Sequence, residues 1–310
     1  MARSFIRVRA YSSCANLGPG FDTLALAVDA FYDEVELELT DRRGVIDVVS
    51  VEGPYAREAG YCGTAVRALH AMIKDLDLHV GVKLRVYKGI PVAKGLGSSG
   101  ATAAAAVLGL ARALDLDIEP SKLVLYAGIG EEEAAGVAHF DNVAASLMGG
   151  LAIVSRLDGE LRVAKIDLDC WVALLIPTTT LSVKKKTEFM RSIIPKIVPL
   201  ESSVRNLGRV AMMVYAAMRG DVQGFAQMMR DDIVEPIRAR YVPCYDEVRQ
   251  AALNAGALGF ALSGAGPTML AITESEDQAQ AVAAAMVRAY SRCGTARAVI
   301  ARPAPPAHEV

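Results

Sequence analysis

The chain has 310 residues, 53% of them hydrophobic and 22% charged, so it can bury a sizeable core, and its length favours two domains over one. Disordered and fibrous classes are excluded. Thirty-three Lys and Arg against 35 Asp and Glu leave a net charge of -2, which provides no global field for nucleic acid or an anionic membrane; any phosphate site must be local.

In chain order, residues 6–10 alternate as a strand, Asn16-Leu17-Gly18-Pro19-Gly20 is turn-rich, and residues 35–39 and 44–51 read as two further strands. The start has no charged, apolar and cleavage-site pattern of a secretory signal. Val66, Leu69, Ile73 and Leu76 recur at helical spacing within a helix predicted over 64–76. Val82, Leu84 and Val86 alternate up to Gly89-Ile90-Pro91, a glycine loop follows, and 101–113 is an alanine-rich helix. One helix is expected from Ser121, as its N-cap, through Gly128, another from about Glu131, and after Gly149-Gly150 a strand over 151–155.

The second half gives a short apolar strand over 171–176 and helical patterns over 188–194, 204–218, 222–231 and 245–255. Strands 259–262 and 269–273 flank a Gly-Ala-Gly-Pro turn, before a helix over 276–290 and a last strand over 295–301. That order, β-α-β-β-α-β with the first α expanded, is ferredoxin-like. The polar hairpin over 156–169 marks the boundary between an N-terminal domain, 1–160, and a C-terminal one, 161–310. The Pro/Ala-rich tail from Arg302 reads as frayed.

The longest apolar stretch, 100–111, is too short to cross a bilayer. Cys14, Cys62, Cys170, Cys244 and Cys293 are odd in number and scattered, as suits reduced thiols in a soluble cytoplasmic protein. His70, His79, His139 and His308 show no zinc-ligand spacing with them.

The chemistry concentrates in Pro91-Val92-Ala93-Lys94-Gly95-Leu96-Gly97-Ser98-Ser99-Gly100-Ala101, between a predicted strand and a predicted helix. Glycines let the backbone turn and approach a ligand, successive N–H groups can converge, and the helix N-terminus adds partial positive charge; this is phosphate-binding chemistry. Gly95-x-Gly97-x-x-Gly100 matches the dinucleotide fingerprint literally, but Asp115 leads into another helix rather than ending a buried strand. A Walker A loop needs its lysine after the glycines, and Lys94 precedes them. A helix cap alone would use one or two glycines, not three with two serines.

Pro91-x3-Gly95-Leu96-Gly97-Ser98-Ser99-Gly100-Ala101 resembles the central ATP-binding motif of the GHMP kinases. Ser12-Ser13-Cys14-Ala15-Asn16-Leu17-Gly18-Pro19-Gly20-Phe21-Asp22 is similar to the family's N-terminal motif, and Ser263-Gly264-Ala265-Gly266-Pro267-Thr268 to its C-terminal glycine motif. The runs Glu131…His139-Phe140-Asp141-Asn142-Val143, Thr187-x3-Arg191-x3-Pro195 and Glu235-Pro236-x-Arg238 resemble the homoserine kinase branch in particular. The resemblance implies an α+β two-domain fold, ribosomal-protein-S5-domain-2-like followed by ferredoxin-like. It further implies transfer of phosphate from ATP to the side-chain hydroxyl of L-homoserine, for threonine biosynthesis, in a cleft between the domains.

By that resemblance Pro91, Lys94, Gly95, Leu96, Gly97, Ser98, Ser99, Gly100 and Ala101 bind ATP, and Ser99 with Glu131 holds Mg²⁺. Read alone, Glu131 within Glu131-Glu132-Glu133 suits a solvated helix face. Homoserine is a zwitterion with a hydroxyl, so its pocket needs cations, an anion and polar groups. Arg191 and Arg238 can take the carboxylate and Asp22 with Asn16 the ammonium, while His139 and Asn142 are placed for the hydroxyl, to orient rather than deprotonate it. Thr187 and Gly264 stand at matching substrate positions, and Asp141 is left as a loop brace.

The departures are few. Cys62-Gly63-Thr64 lacks an asparagine expected near the adenine, Lys184-Lys185-Lys186 stands where the family has Val-Ser, and Gly100 and Ala265 replace Ala and Ser. A homodimer is the family expectation. The rival readings are a GHMP kinase for mevalonate or shikimate, which would leave Asp22 without an ammonium partner, and a non-catalytic sensor, which would not need Ser98, Ser99 and Glu131.

Overall fold

The computed structural model describes residues 4–135, 139–178 and 186–310. The chain opens with a long hairpin, β1 (Phe5–Asn16) and β2 (Gly20–Thr40), whose turn is the expected Asn16–Gly20 segment. Left-handed backbone at Asn16, Leu17 and Gly18 (φ +74°, +51° and +86°) reverses the chain there. Both strands run far past the stretches whose alternation is plain in sequence. Residues 12–16 of β1 and 24–28 of β2 are buried on both faces, so no polar–apolar alternation marks them.

β3 (Ile46–Glu52) is followed by α1 (Ala56–Ala59), α2 (Gly63–Asp75) and β4 (Gly81–Lys88), which pairs parallel to β3 and antiparallel to β2. Next come α3 (Ser98–Ala113), α4 (Pro120–Ala135) and α5 (Phe140–Met148), then the hairpin β5 (Leu151–Leu157) and β6 (Glu160–Ile166), which joins β2 at Leu24–Leu26. The expected domain division at 160/161 falls at the first residue of β6, a strand that stays with this first sheet.

α3 is enclosed by the sheet and by α2, α4 and α5, and Ala101, Ala103, Ala104, Ala105 and Ala106 are fully buried. A helix apolar on every side is one packed on every side. α4 is continuous, starting at Pro120, so Ser121 is not its N-cap and Gly128 is not a break. Glycine there answers packing instead: a Cβ at Gly128 would lie 2.3 Å from the Phe140 ring, and one at Gly130 2.3 Å from the Thr64 carbonyl oxygen on α2.

The second sheet begins with β7 (Trp171–Pro177). α6 (Lys186–Ser192), α7 (Leu200–Met218), α8 (Val222–Gln227), α9 (Glu235–Ala239) and α10 (Tyr245–Asn254) follow, then β8 (Gly259–Leu262), β9 (Met269–Thr273), α11 (Glu276–Tyr290) and β10 (Ala296–Ala301). The strand order β10-β7-β9-β8, all antiparallel, is the expected ferredoxin-like sheet. The helix expected over 222–231 stops at Gln227. The Asp231 carboxylate accepts from the backbone N–H groups of Ile233, Val234 and Glu235 and so opens α9.

Alternation along β7 sorts the core. Ala173 and Leu175 pack with Val248, Val282 and Met286 under α10 and α11, whereas Val172, Leu174 and Ile176 join the core that continues into the first sheet. One apolar interior therefore spans both sheets and fixes their loops against each other.

The tail is docked rather than frayed. Ala304 N–H donates to Ala27 O (2.9 Å), Ala307 N–H to Leu147 O (3.0 Å), and β11 (His308–Glu309) adds a strand beside β1. Its Pro/Ala composition suits passage close to Gly149, where a Cβ would meet the tail backbone at 2.5 Å. The expectation of uniformly reduced thiols is also corrected. Cys244 and Cys293 form a disulfide that ties the start of α10 to the segment after α11, and Cys14, Cys62 and Cys170 are free and buried. The pairing is invisible in spacing because 49 residues separate the two cysteines.

By loop-closure entropy a crosslink over 49 residues stabilises by about 4 kcal/mol. Cys293→Ser should lower the urea unfolding free energy by about that amount, and wild type in reductant should match the variant. An unchanged midpoint would remove the bond from the account.

Candidate active site

Three loops meet where the two sheets face each other. The glycine loop after β4, the β1–β2 hairpin and the turn between β8 and β9 are hydrogen-bonded main chain to main chain. Ser13 N–H donates to Leu96 O (3.1 Å), Gly264 N–H to Ala15 O (3.0 Å) and Thr268 N–H to Lys94 O (3.2 Å), while Ser263 Oγ donates to Gly95 O (2.6 Å). Gly95 (φ +81°) has no room for a side chain, since a Cβ would meet Ser263 O at 2.3 Å; at Gly97 (φ +67°) it would meet Ser13 Oγ at 2.2 Å. Left-handed backbone at Gly97 leads into α3, which starts at Ser98, so the serine pair sits in its first turn rather than ahead of it.

The cleft so formed has a volume of about 780 Å³. Of the expected ATP-binding residues, Pro91, Gly95, Leu96, Gly97, Ser98 and Ser99 line it. Lys94, Gly100 and Ala101 do not. Lys94 Nζ donates to the carbonyl oxygens of Pro177 and Thr178 (2.8 and 2.9 Å). Gly100 packs on Val143, 3.3 Å from where its Cβ would lie, and Ala101 is core. Lys186 instead lines the cleft, where it donates to Ala93 O (2.8 Å) and Gly266 O and so joins α6 to two of the loops. Burial, with Lys94 and Arg238 nearby, lowers its ammonium to about 7. Lys184 and Lys185 lie outside the described residues.

Behind the glycine loop lies a buried ionic network that sequence reading missed. Lys88, at the end of β4, is ion-paired to Asp33 of β2 and donates to Ser98 O (3.1 Å) and Thr102 Oγ1 (2.6 Å). Asp33 also accepts from the N–H groups of Gly89 and Ile90 (3.0 Å each). Both side chains are almost fully buried, and a buried pair is tolerated when its remaining donors and acceptors are met, as here. The available signal was a charged residue on the inward face of each of two apolar strands.

At the other end, Asn16, Asp22, His139, Thr187, Arg238 and Gly264 line the cleft together, and Arg191 reaches its edge by pairing with Asp22 (2.6 and 2.8 Å). Gly264 O accepts from Asn16 Nδ2 (3.2 Å) and Arg238 Nη1 (3.1 Å), so one carbonyl orients both. Phe21, given no role in the sequence, has the guanidinium groups of Arg191 and Arg238 at 4.9 and 5.2 Å from its ring centre. Arg238 is 4% exposed, and burial lowers it to about 10 despite the opposing pull of Asp22.

Asn142, at the start of α5, accepts from Ser13 Oγ through Oδ1 (2.9 Å) and lines the cleft. His139 Nδ1 stands 3.8 Å from Glu131 Oε2. Burial acts to lower the imidazole, but Glu131, Asp141 and Asp22 outweigh it, and the group titrates above its ordinary value. Glu131 is not on a solvated face: it is 5% exposed and lines the cleft, and its Oε1 is buried with no hydrogen-bond partner. Ser99, exposed into the same cleft, offers a hydroxyl. An orphaned carboxylate oxygen and a hydroxyl at the mouth of a phosphate loop fit a hard cation such as Mg²⁺, which takes few protein ligands and keeps waters and phosphate oxygens.

Together these features define a nucleotide-dependent kinase site, and the chain belongs to the GHMP kinase family. Residues 63–150 match the model described as GHMP kinases N terminal domain and residues 213–292 that of GHMP kinases C terminal. Over the whole of both chains the sequence is 48% identical to a protein named homoserine kinase from Aeropyrum pernix. It is 40% identical to the homoserine kinase of Pyrobaculum neutrophilum, covering 93% of this chain and 94% of the relative. The crystal structure of homoserine kinase from Cytophaga hutchinsonii superposes with a TM-score of 0.89 at 31% identity, covering 99% and 98% of the two chains. Among the described residues no helix is long and apolar enough to cross a membrane.

Asp141, expected only as a brace, accepts from Asn142 N–H (2.8 Å) and lies buried in the cleft, where desolvation and then the Asp22 charge push its carboxyl from 3.8 up to about 6. A carboxyl raised on folding adds stability that is full below its unfolded value and lost as pH rises through 6, leaving a buried charge above. Asp141→Asn should therefore gain about 2 kcal/mol on wild type between about pH 4.5 and pH 8 in urea unfolding. A pH-independent difference would mean that the carboxyl titrates normally.

Proposed function

We infer that the chain is an ATP-dependent homoserine kinase, transferring the terminal phosphoryl group of ATP to the side-chain hydroxyl of L-homoserine to give O-phospho-L-homoserine for threonine biosynthesis. The observation that carries the reading is the cleft itself: an anion-binding loop at a helix N-terminus at one end, and buried Arg238 with Asp22 at the other, so that a phosphate ester and a zwitterion have complementary partners in one cavity. Full-length identity to homoserine kinases supports the same substrate.

The triphosphate is received by the backbone and hydroxyl groups of 95–99 and the α3 N-terminus. Ser99 and Glu131 would hold Mg²⁺, which when bound offsets the charge of the phosphate oxygens. Arg238 takes the homoserine carboxylate. Asp22 and Asn16 take the ammonium, with Arg191 and Phe21 fixing the position of the Asp22 carboxylate and of Arg238. His139 and Asn142 orient the hydroxyl, and Thr187 and Gly264 close its surroundings. Phosphoryl transfer has a loose transition state, so the hydroxyl proton can leave late, to a phosphoryl oxygen, without a dedicated base. A soluble amino acid and ATP as substrates suit a cytoplasmic enzyme. The disulfide is compatible with that, since some intracellular proteins retain structural disulfides.

ADP release measured with homoserine, mevalonate, shikimate and galactose should show fastest turnover with homoserine; faster turnover of another alcohol would overturn the substrate assignment. In the same assay Arg238→Leu should raise KM for homoserine at least about tenfold with KM for ATP changed less than about twofold. His139→Asn should lower kcat yet keep every limb of the wild-type pH–rate profile, whereas loss of a limb would make His139 a base.

A further inference from the structure

Lys186 is a buried cation to which the described residues bring no opposite charge. It opens α6, is 7% exposed and lines the cleft, and the partners of its ammonium are two neutral backbone carbonyls, Ala93 O (2.8 Å) and Gly266 O. An ammonium has three N–H groups, so one is left over. Among the described residues no carboxylate pairs with it, whereas Lys88 behind the glycine loop is paired with Asp33 and Arg191 on the same helix with Asp22. Burial, then the charges of Lys94 on the glycine loop and Arg238 on α9, disfavours the charged form, which titrates at about 7. The β8–β9 turn, residues 263–268, carries no ionisable side chain, and Glu188 lines the cleft from α6 without pairing to Lys186. A buried ammonium without a counter-ion is destabilising, so such a position fits a site completed by an anion from outside.

The location says which anion. Gly266 O, which holds the ammonium, lies 2.9 Å from where a Cβ on Gly95 would stand, so one carbonyl separates Lys186 from the first glycine of the loop. Thr187, the next residue, and Arg238 line the same cleft towards its Asp22 end. Lys186 therefore stands where the two ends of the cleft meet, on the path of a phosphoryl group passing from one substrate to the other. We propose that Lys186 binds the terminal phosphoryl group of ATP, giving its remaining N–H to a phosphoryl oxygen while the Ala93 and Gly266 carbonyls hold the ammonium in place. The contact lies outside the family resemblance, which has Val-Ser where 184–186 are lysines.

Such a contact does what a tether between loops does not. Phosphate stabilises the protonated amine, so at a pH above 7 each ATP that binds draws a proton from solvent, and affinity is full below pH 7 and declines above it. ADP lacks the terminal group and gains little from the lysine. The inference rests on the kinase reading for its nucleotide alone, since homoserine has no part in the contact.

Titration calorimetry with MgATP and with MgADP, without homoserine and in two buffers of different ionisation enthalpy at about pH 8, reads affinity and proton uptake together. Wild type should take up more than about half a proton per ATP and clearly less per ADP. Lys186→Met, which keeps the length of the side chain and removes its charge, should bind ATP about tenfold more weakly at neutral pH with ADP affinity changed less than about twofold. Its proton uptake with ATP should fall to that seen with ADP. Lys186→Arg, charged throughout, should keep most of the affinity for ATP and lose the decline above pH 7. Equal uptake with ATP and ADP in wild type would overturn the proposal, as would an uptake unchanged in Lys186→Met, which would assign the proton to His139 or Asp141. Equal weakening of both nucleotides would make Lys186 a tether and no more. Failure of wild type to bind either nucleotide would sink the kinase reading as well, whereas ATP binding that Lys186→Met leaves intact would remove the phosphate contact alone.

Discussion

Everything in the cleft depends on three stretches of backbone approaching closer than side chains allow. Gly95 lies against Ser263 O and Gly97 against Ser13 Oγ, at distances no Cβ could occupy, and the main-chain hydrogen bonds between the hairpin, the glycine loop and the β8–β9 turn hold the contact. The constraint brings residues from three distant parts of the chain within reach of one ligand. Because the contact is mostly main chain to main chain, with only the Ser13 and Ser263 hydroxyls added, it depends on small residues and turns. That is why it is the glycines that fill the three motifs.

Around that junction the two ends of the cleft are built on different principles. The glycine-loop end offers backbone amides and a helix terminus, braced from behind by the Asp33–Lys88 pair, which ties β2 and β4 to the first turn of α3. The other end holds few but strongly placed charges, Asp22, Asp141, Arg191 and Arg238, with Phe21 close to two guanidinium groups. Burial moves Asp141 and Arg238 from their ordinary pKa values in opposite directions, each towards neutrality.

The second half adds rigidity by two unrelated means. Its sheet shares a core with the first through Val172, Leu174 and Ile176, so the loops cannot part without exposing apolar surface. The Cys244–Cys293 bridge anchors the start of α10, and Tyr245 within α10 is bonded to Glu235 on α9, the helix that carries Arg238. Cleft-lining Arg238 therefore stands on a short helix held from both sides.

Local pattern was enough to read the central glycine loop, the β-α-β-β-α-β order of the second half and part of the cleft lining, because period, turn chemistry and motif spacing are properties of neighbouring residues. What neighbouring residues do not encode came only with the folded chain. The pairing of Cys244 with Cys293, the docking of the tail, the turn of Lys94 away from the cleft and the entry of Lys186 all depend on which distant segments become adjacent. Gly128 shows the difference most plainly: the same absence of a side chain that breaks a helix in isolation lets α4 pack against Phe140. Sequence by itself determined which chemistry is present, and tertiary structure decided which groups share a cavity, since burial and charge act through space and not along the chain.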